Sequence, residues 1–99
     1  MSFVECAARS FTAISIQKNA PDSPGVYGLT NAREWVFIGE TLNIRSQLME
    51  HLNEQNTVLA NRRPTGFAFE ICSPHDRLAR QDVLVRQFGP VCNRGLRSS

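Results

Sequence analysis

One tyrosine and one short helix face hold most of the chemistry this chain can offer. Tyr27 lies two residues after Gly25 in the run Gly25-Val26-Tyr27, and Asn43, Gln47 and His51 recur at i, i+4 and i+8. That spacing draws a polar stripe down one face of a helix, with Leu48 and Leu52 on the core side. Gly25 permits close backbone approach at a strand start. Gly39 ends a second aromatic run, Phe37-Ile38-Gly39, where the chain must turn sharply into the helix. Two short aromatic-glycine strands followed at once by a polar-faced helix can make a small phosphodiesterase site. Tyr27, Phe37 and the helix stripe would then border one cleft.

The elements that must position these residues can be read from periodicity and breakers. Pro21 and Pro24, with Asp22 and Ser23 between them, punctuate the chain before the first strand. Val26-Tyr27-Gly28-Leu29 and Trp35-Val36-Phe37-Ile38 are β-rich runs joined by polar Thr30–Glu34, a hairpin signal. Thr41 or Asn43 can cap the next element, whose Ile44, Leu48 and Leu52 recur at helical spacing. Gln55–Thr65 reads as a loop, and Phe67-Ala68-Phe69-Glu70-Ile71 as a third strand. A second helix is predicted from about His75 to Phe88, stopped by Gly89-Pro90. Before Pro21 the pattern is ambiguous: Phe11, Ile14 and Ile16 fit a short strand or the edge of a helix. The expected fold is α+β, a small antiparallel three-stranded sheet flanked by helices in the order β-β-α-β-α.

A chain of 99 residues suits one domain, 1–99, with a single core. No apolar run reaches membrane-spanning length. Met1–Arg9 is mixed in character and lacks the basic-then-apolar layout of a secretion signal. Cys6, Cys72 and Cys92 are odd in number, far apart and in no Cys-x-x-Cys pair. They point to reduced thiols in a cytoplasmic protein rather than to disulfides or zinc. The net charge of +2 is small, but it is unevenly distributed. Up to Asn53 there are four basic and five acidic residues; beyond it there are seven basic, all arginine, and four acidic. The arginine fork matches phosphate geometry in a way that a lysine point charge does not. Solvated helix faces and a basic tail account for the same composition.

Pro21–Tyr27, then Phe37-Ile38-Gly39-Glu40-Thr41-Leu42-Asn43-Ile44, resembles the GIY-YIG nuclease superfamily. The first motif is especially similar to that of the N-terminal nuclease domain of the bacterial nucleotide-excision-repair endonuclease. Leu84–Asn93, with its Pro90-x-x-Asn93 ending, resembles the family's closing segment. The likeness spans roughly residues 21–93 in motif order and spacing. It implies hydrolysis of a DNA phosphodiester with one divalent metal, magnesium or manganese. In that family the first-motif tyrosine, here Tyr27, helps to activate the attacking water, and the second-motif tyrosine supports the site. A helix arginine stabilises the developing phosphate charge, and a glutamate on the later helix holds the metal. These roles answer general needs: a base near the nucleophile, a cation for the transition state and an oxygen donor for a hard metal.

Several of these positions hold other residues. The second tyrosine is Phe37, the arginine position is Gln47 and the glutamate position is Gln81; Tyr27 and His51 match. Gln47 brings no charge to a phosphate, and an amide oxygen is a poorer magnesium ligand than a carboxylate. Asp82, about 100° around the helix from Gln81, is the candidate metal ligand, with Glu70 and Glu40 as further carboxylates. Arg45, Arg77 and Arg80 are the candidate nucleic-acid contacts, although Arg45 lies about 200° from Gln47. Each residue also has a plainer role: Tyr27, Phe37 and Trp35 as core aromatics, His51 as a cap, the arginines as surface charges. The expectation is a GIY-YIG-like domain that binds DNA, with RNA as a second candidate, and has weak or no phosphodiesterase activity. An active metal-dependent nuclease and a protein-interaction scaffold are the alternatives.

Overall fold

The computed structural model describes residues 8–54 and 58–96; Cys6, Arg97 and the side chain of Arg94 lie outside that description. Four strands, β1 (Arg9–Ser10), β2 (Gly25–Thr30), β3 (Trp35–Thr41) and β4 (Gly66–Ile71), form one antiparallel sheet in the order β1-β4-β2-β3. The helices are α1 (Ala13–Asn19), α2 (Ile44–Asn53), α3 (Val58–Asn61), α4 (Arg77–Phe88) and α5 (Val91–Leu96). The expected β-β-α-β-α order is embedded in this larger set, and the sheet has four strands rather than three. The added strand is two residues long, pairing Arg9 with Phe67 and Ser10 with Gly66, too short for any period to show. The ambiguous Phe11–Ile16 stretch resolves into α1, which buries Ile16 fully and leaves Ile14 exposed. The Gln55–Thr65 loop contains the four-residue α3.

Partners across an antiparallel ladder share a face, so the register sorts the sheet into two sides. Val26 pairs with Glu40 and Glu70, and Gly28 with Ile38 and Ala68. This side packs under α4 through Leu84 and Val85. Tyr27 pairs with Gly39 and Phe69, and Leu29 with Phe37 and Phe67. The second side packs against Ile16 of α1 and Ile44 and Leu48 of α2. A bulge after the Leu29–Phe37 pair skips Val36, which lets Trp35 turn to the α4 side and pack against Phe88 with ring centres 5.0 Å apart and planes tilted by 43°. No helix among the described residues is long and apolar enough to cross a membrane.

Two side chains lock the site-bearing elements. Asn43 caps α2, its side-chain oxygen accepting from the Ser46 backbone at 2.9 Å, so it ends the polar stripe instead of facing the cleft. Asn93, at the start of α5, is buried and grips the edge strand β3. Its Oδ1 accepts from the Ile38 amide at 2.8 Å and its Nδ2 donates to the Ile38 carbonyl at 2.8 Å. Helix α4 begins at Arg77, two residues later than the spacing predicts, and ends on Gly89 in the left-handed conformation at φ 58°.

Candidate active site

The residue at the centre is Tyr27. Strand alternation aims its ring at the α2 side, where the hydroxyl lies 2.7 Å from Nε2 of His51 in the last turn of α2. Phe37 closes a triangle, its ring 6.1 Å from that of Tyr27 and 5.9 Å from that of His51. Gly39 makes room for this packing. A Cβ at that position would stand 2.6 Å from the Tyr27 hydroxyl and 2.7 Å from the Phe37 ring. The glycine is therefore needed for close approach of the two aromatics, not for an unusual backbone angle.

Electrostatics fixes the protonation of the pair. Burial, reinforced by Glu40, Glu50 and Glu54, pushes the Tyr27 phenol well above its ordinary range. Burial pushes His51 below its ordinary value, with Glu54 and Glu50 opposing only in part. A protonated phenol beside a neutral imidazole is best arranged with the hydroxyl donating to Nε2, which puts the imidazole proton on Nδ1. That Nδ1 is buried and has no hydrogen-bond partner among the described residues.

This has a measurable consequence. Because the folded His51 titrates lower than the unfolded one, the unfolded chain gains a proton first as the pH falls. The associated stability is complete above about pH 6.5 and is lost as pH drops toward the folded value. The urea midpoint of the wild type should therefore fall more between about pH 7.5 and pH 5 than that of His51→Gln. Glutamine keeps a partner for the Tyr27 hydroxyl without a titrating ring. Equal pH slopes in the two proteins would show that His51 is not the group responsible.

The other candidate residues are dispersed. Gln47 is half-buried on α2, one turn before His51. Gln81, three and four residues ahead of Leu84 and Val85, lies on the sheet-facing side of α4 and is half-buried. Asp82 is exposed. The three arginines expected to reach nucleic acid are all held by carboxylates. Arg45 bonds Asp22 at 2.9 Å and the Ala20 carbonyl at 2.8 Å, tying α2 to the end of α1. Arg80 makes a two-pronged bond to Glu70 at 2.7 and 3.0 Å. Arg77 grips both oxygens of Glu40. Glu40 and Glu70 flank Val26 on the α4 side of the sheet, so the two ion pairs fasten the first half of α4 across three strands. Sequence reasoning found these four residues separately. It missed the pairing, which depends on α4 crossing the face that carries Glu40 on β3 and Glu70 on β4. It also missed Glu50 and Glu54, whose signal was their i−1 and i+3 positions around His51.

Magnesium keeps several of its waters and is held by one or two protein carboxylates, and the family's glutamate position is Gln81 here. Among the described residues no group of three or more His, Cys, Asp or Glu is gathered to hold one. The carboxylates closest in role, Glu40 and Glu70, are already engaged by arginine. The residues present do not fit the family's metal well.

Comparison with known proteins agrees with the architecture. No family model matches the chain. A 42-residue stretch is 36% identical to UvrABC system protein C of Hydrogenobaculum sp. (strain Y04AAS1), covering 42% of this chain and 7% of that protein. Among solved structures, the GIY-YIG N-terminal endonuclease domain of UvrC from Thermotoga maritima with magnesium bound superposes with a TM-score of 0.64. It is 21% identical, and the match covers 76% of this chain and 91% of that one. A tyrosine-to-phenylalanine variant of the same domain, bound to its catalytic divalent cation, gives a TM-score of 0.63 at 22% identity, with 76% and 91% covered. This chain has the GIY-YIG nuclease fold and is similar to the N-terminal endonuclease domain of UvrC.

Proposed function

We propose that this chain binds DNA along the face that carries Tyr27 and His51 and cleaves it weakly or not at all. The observation that carries this reading is that the retained Tyr27–His51 pair has the uncharged Gln47 one turn before His51 on α2, where the resemblance implies a phosphate-binding arginine. Each candidate cation is held by a carboxylate, Arg45 by Asp22 and, on the α4 side of the sheet, Arg77 by Glu40 and Arg80 by Glu70, and the family's arginine and glutamate positions are Gln47 and Gln81. The Tyr27–His51 pair is retained: a neutral Nε2 draws the phenolic proton and makes the tyrosine oxygen a better acceptor for a water proton. Without a cation for the phosphate, that half of the machinery gains little, since losing such a group costs on the order of 10²–10³ in rate. A variant of the Thermotoga domain that lacks one phenolic hydroxyl still holds its cation. At Phe37 the ring stays and only the hydroxyl is lost. Contact with the DNA backbone falls to the exposed arginines Arg33 and Arg63, near the β2–β3 turn, which the bond from Asn31 to the Arg62 carbonyl ties to the end of α3; Arg62 itself pairs with Glu34 at 3.6 Å.

Fluorescence anisotropy with a labelled duplex should show affinity falling roughly tenfold or more between about 50 and 200 mM salt, as two or three phosphate contacts require. Supercoiled plasmid held with excess protein and magnesium should stay largely intact. Salt-independent binding would sink the nucleic-acid reading. Efficient nicking that Tyr27→Phe abolishes would establish an active nuclease in its place.

A further inference from the structure

A cavity of about 210 Å³ opens beside the Tyr27–His51 pair, between the end of α2, α3 and the β1–α1 junction. Its floor is apolar, with Phe11, Leu29 and Leu59 among the lining residues, and three polar side chains, His51, Glu54 and Arg63, complete it. We propose that this cavity receives a single unstacked nucleobase of the bound DNA strand, a proposal that rests on the DNA-binding reading above.

Three features point to that occupant. The volume is below the 300–1,000 Å³ or so of drug-sized sites and suits one flat ring system. An apolar slot with an aromatic wall and a few polar groups is how proteins hold extruded bases, stacking on the face and bonding the edge. His51 links the cavity to the candidate active site. Its Nε2 is engaged by Tyr27, so an occupant of the cavity touches the ring that holds the tyrosine hydroxyl. The charge pattern fits a nucleotide as well. Arg63 is exposed, follows α3 and is held at φ 51°, a conformation that long side chains rarely adopt. It offers a cation to the phosphate of the nucleotide whose base enters. Glu54 offers an acceptor, which favours bases carrying an exocyclic amino group, cytosine above thymine.

The test compares two labelled duplexes, one carrying a single bulged cytosine and one fully paired, titrated with the whole chain at low salt. The bulged duplex should bind about tenfold tighter, the scale that base stacking on an aromatic wall supplies. Leu59→Trp, which fills the cavity, should remove that preference and leave affinity for the paired duplex unchanged. Ala60→Leu, a milder filling of the same space, serves if the tryptophan variant fails to fold as judged by circular dichroism. Equal affinity for the two duplexes, or a preference that survives filling, overturns the cavity assignment while the DNA-binding reading stands. Failure to bind either duplex overturns both. A bulged thymine bound as tightly as cytosine overturns the role given to Glu54.

Discussion

Gln47→Arg combined with Gln81→Glu should raise magnesium-dependent nicking of supercoiled plasmid by at least about 10² over the wild type, with Tyr27→Phe erasing the gain. The expectation follows from where the two glutamines stand. Gln47 lies one turn before His51 on α2, so a guanidinium there falls on the side of the helix where His51 meets Tyr27. A cation at that point also disfavours protonation of His51 and so keeps Nε2 available to the phenol. Gln81 lies on α4, across the sheet from Tyr27, at the position where the resemblance implies the metal-holding glutamate, and a carboxylate there restores that hard oxygen donor.

The single changes should do much less, for a reason visible in the structure. Gln81 is one turn after Arg77, whose guanidinium already holds Glu40. A new carboxylate competes for that arginine and is partly captured by it. Likewise a guanidinium introduced alone at 47 finds Glu50 three residues on and can pair with it. Together the two changes supply a cation and an anchor that neither neighbour can absorb fully. Plasmid nicking with the two single variants, the double variant and the triple variant with Tyr27→Phe separates these contributions. A double variant that folds, binds DNA and still fails to nick would show that the ion pairs of α4, and not the two glutamines, hold the site silent.

What the sequence revealed depended on how local the determinant was. The strands around Tyr27, Phe37 and Phe69 stood out because aromatic and β-branched residues alternate between prolines and glycines. Helix α2 showed because Ile44, Leu48 and Leu52 keep helical spacing, and α4 because it runs between the breakers Ser73-Pro74 and Gly89-Pro90. The proximity of Tyr27 and His51 needed only one hairpin and one turn. Strand β1 and helix α3 were invisible, being held by tertiary contacts rather than by any period of their own. The pairing of Glu70 with Arg80 and of Glu40 with Arg77 could not be read at all. It exists because α4 crosses the face of the sheet that carries Glu40 on β3 and Glu70 on β4. The cavity next to His51 is equally non-local, drawing walls from residues as distant as Phe11 and Pro64.

Asn93→Ala should cost about 2–6 kcal/mol of stability. Strand β3 is an edge, so one row of its amides and carbonyls has no neighbouring strand among the described residues. At Ile38, fully buried, that row is completed by the Asn93 amide, which both donates and accepts. Alanine leaves a buried N–H and a buried C=O unpaired at once, and each such group costs about 1–3 kcal/mol. The damage should not stay local. Ile38 lies between Phe37 and Gly39, the two residues against which the Tyr27 ring is packed, so slack in β3 loosens the Tyr27–His51 pair as well. Asn93→Asp separates the two bonds. Its carboxylate still accepts from the Ile38 amide but faces the Ile38 carbonyl with no proton to give. That repulsion and burial raise the folded pKa of the new acid above its unfolded value. Protonation is then favoured by folding, and the variant should regain stability as pH falls from about 7 toward 5. Urea denaturation of the wild type, Asn93→Ala and Asn93→Asp at both pH values decides the matter. An Asn93→Asp variant that loses stability in step with the wild type on acidification would mean that the Ile38 carbonyl does not need its donor.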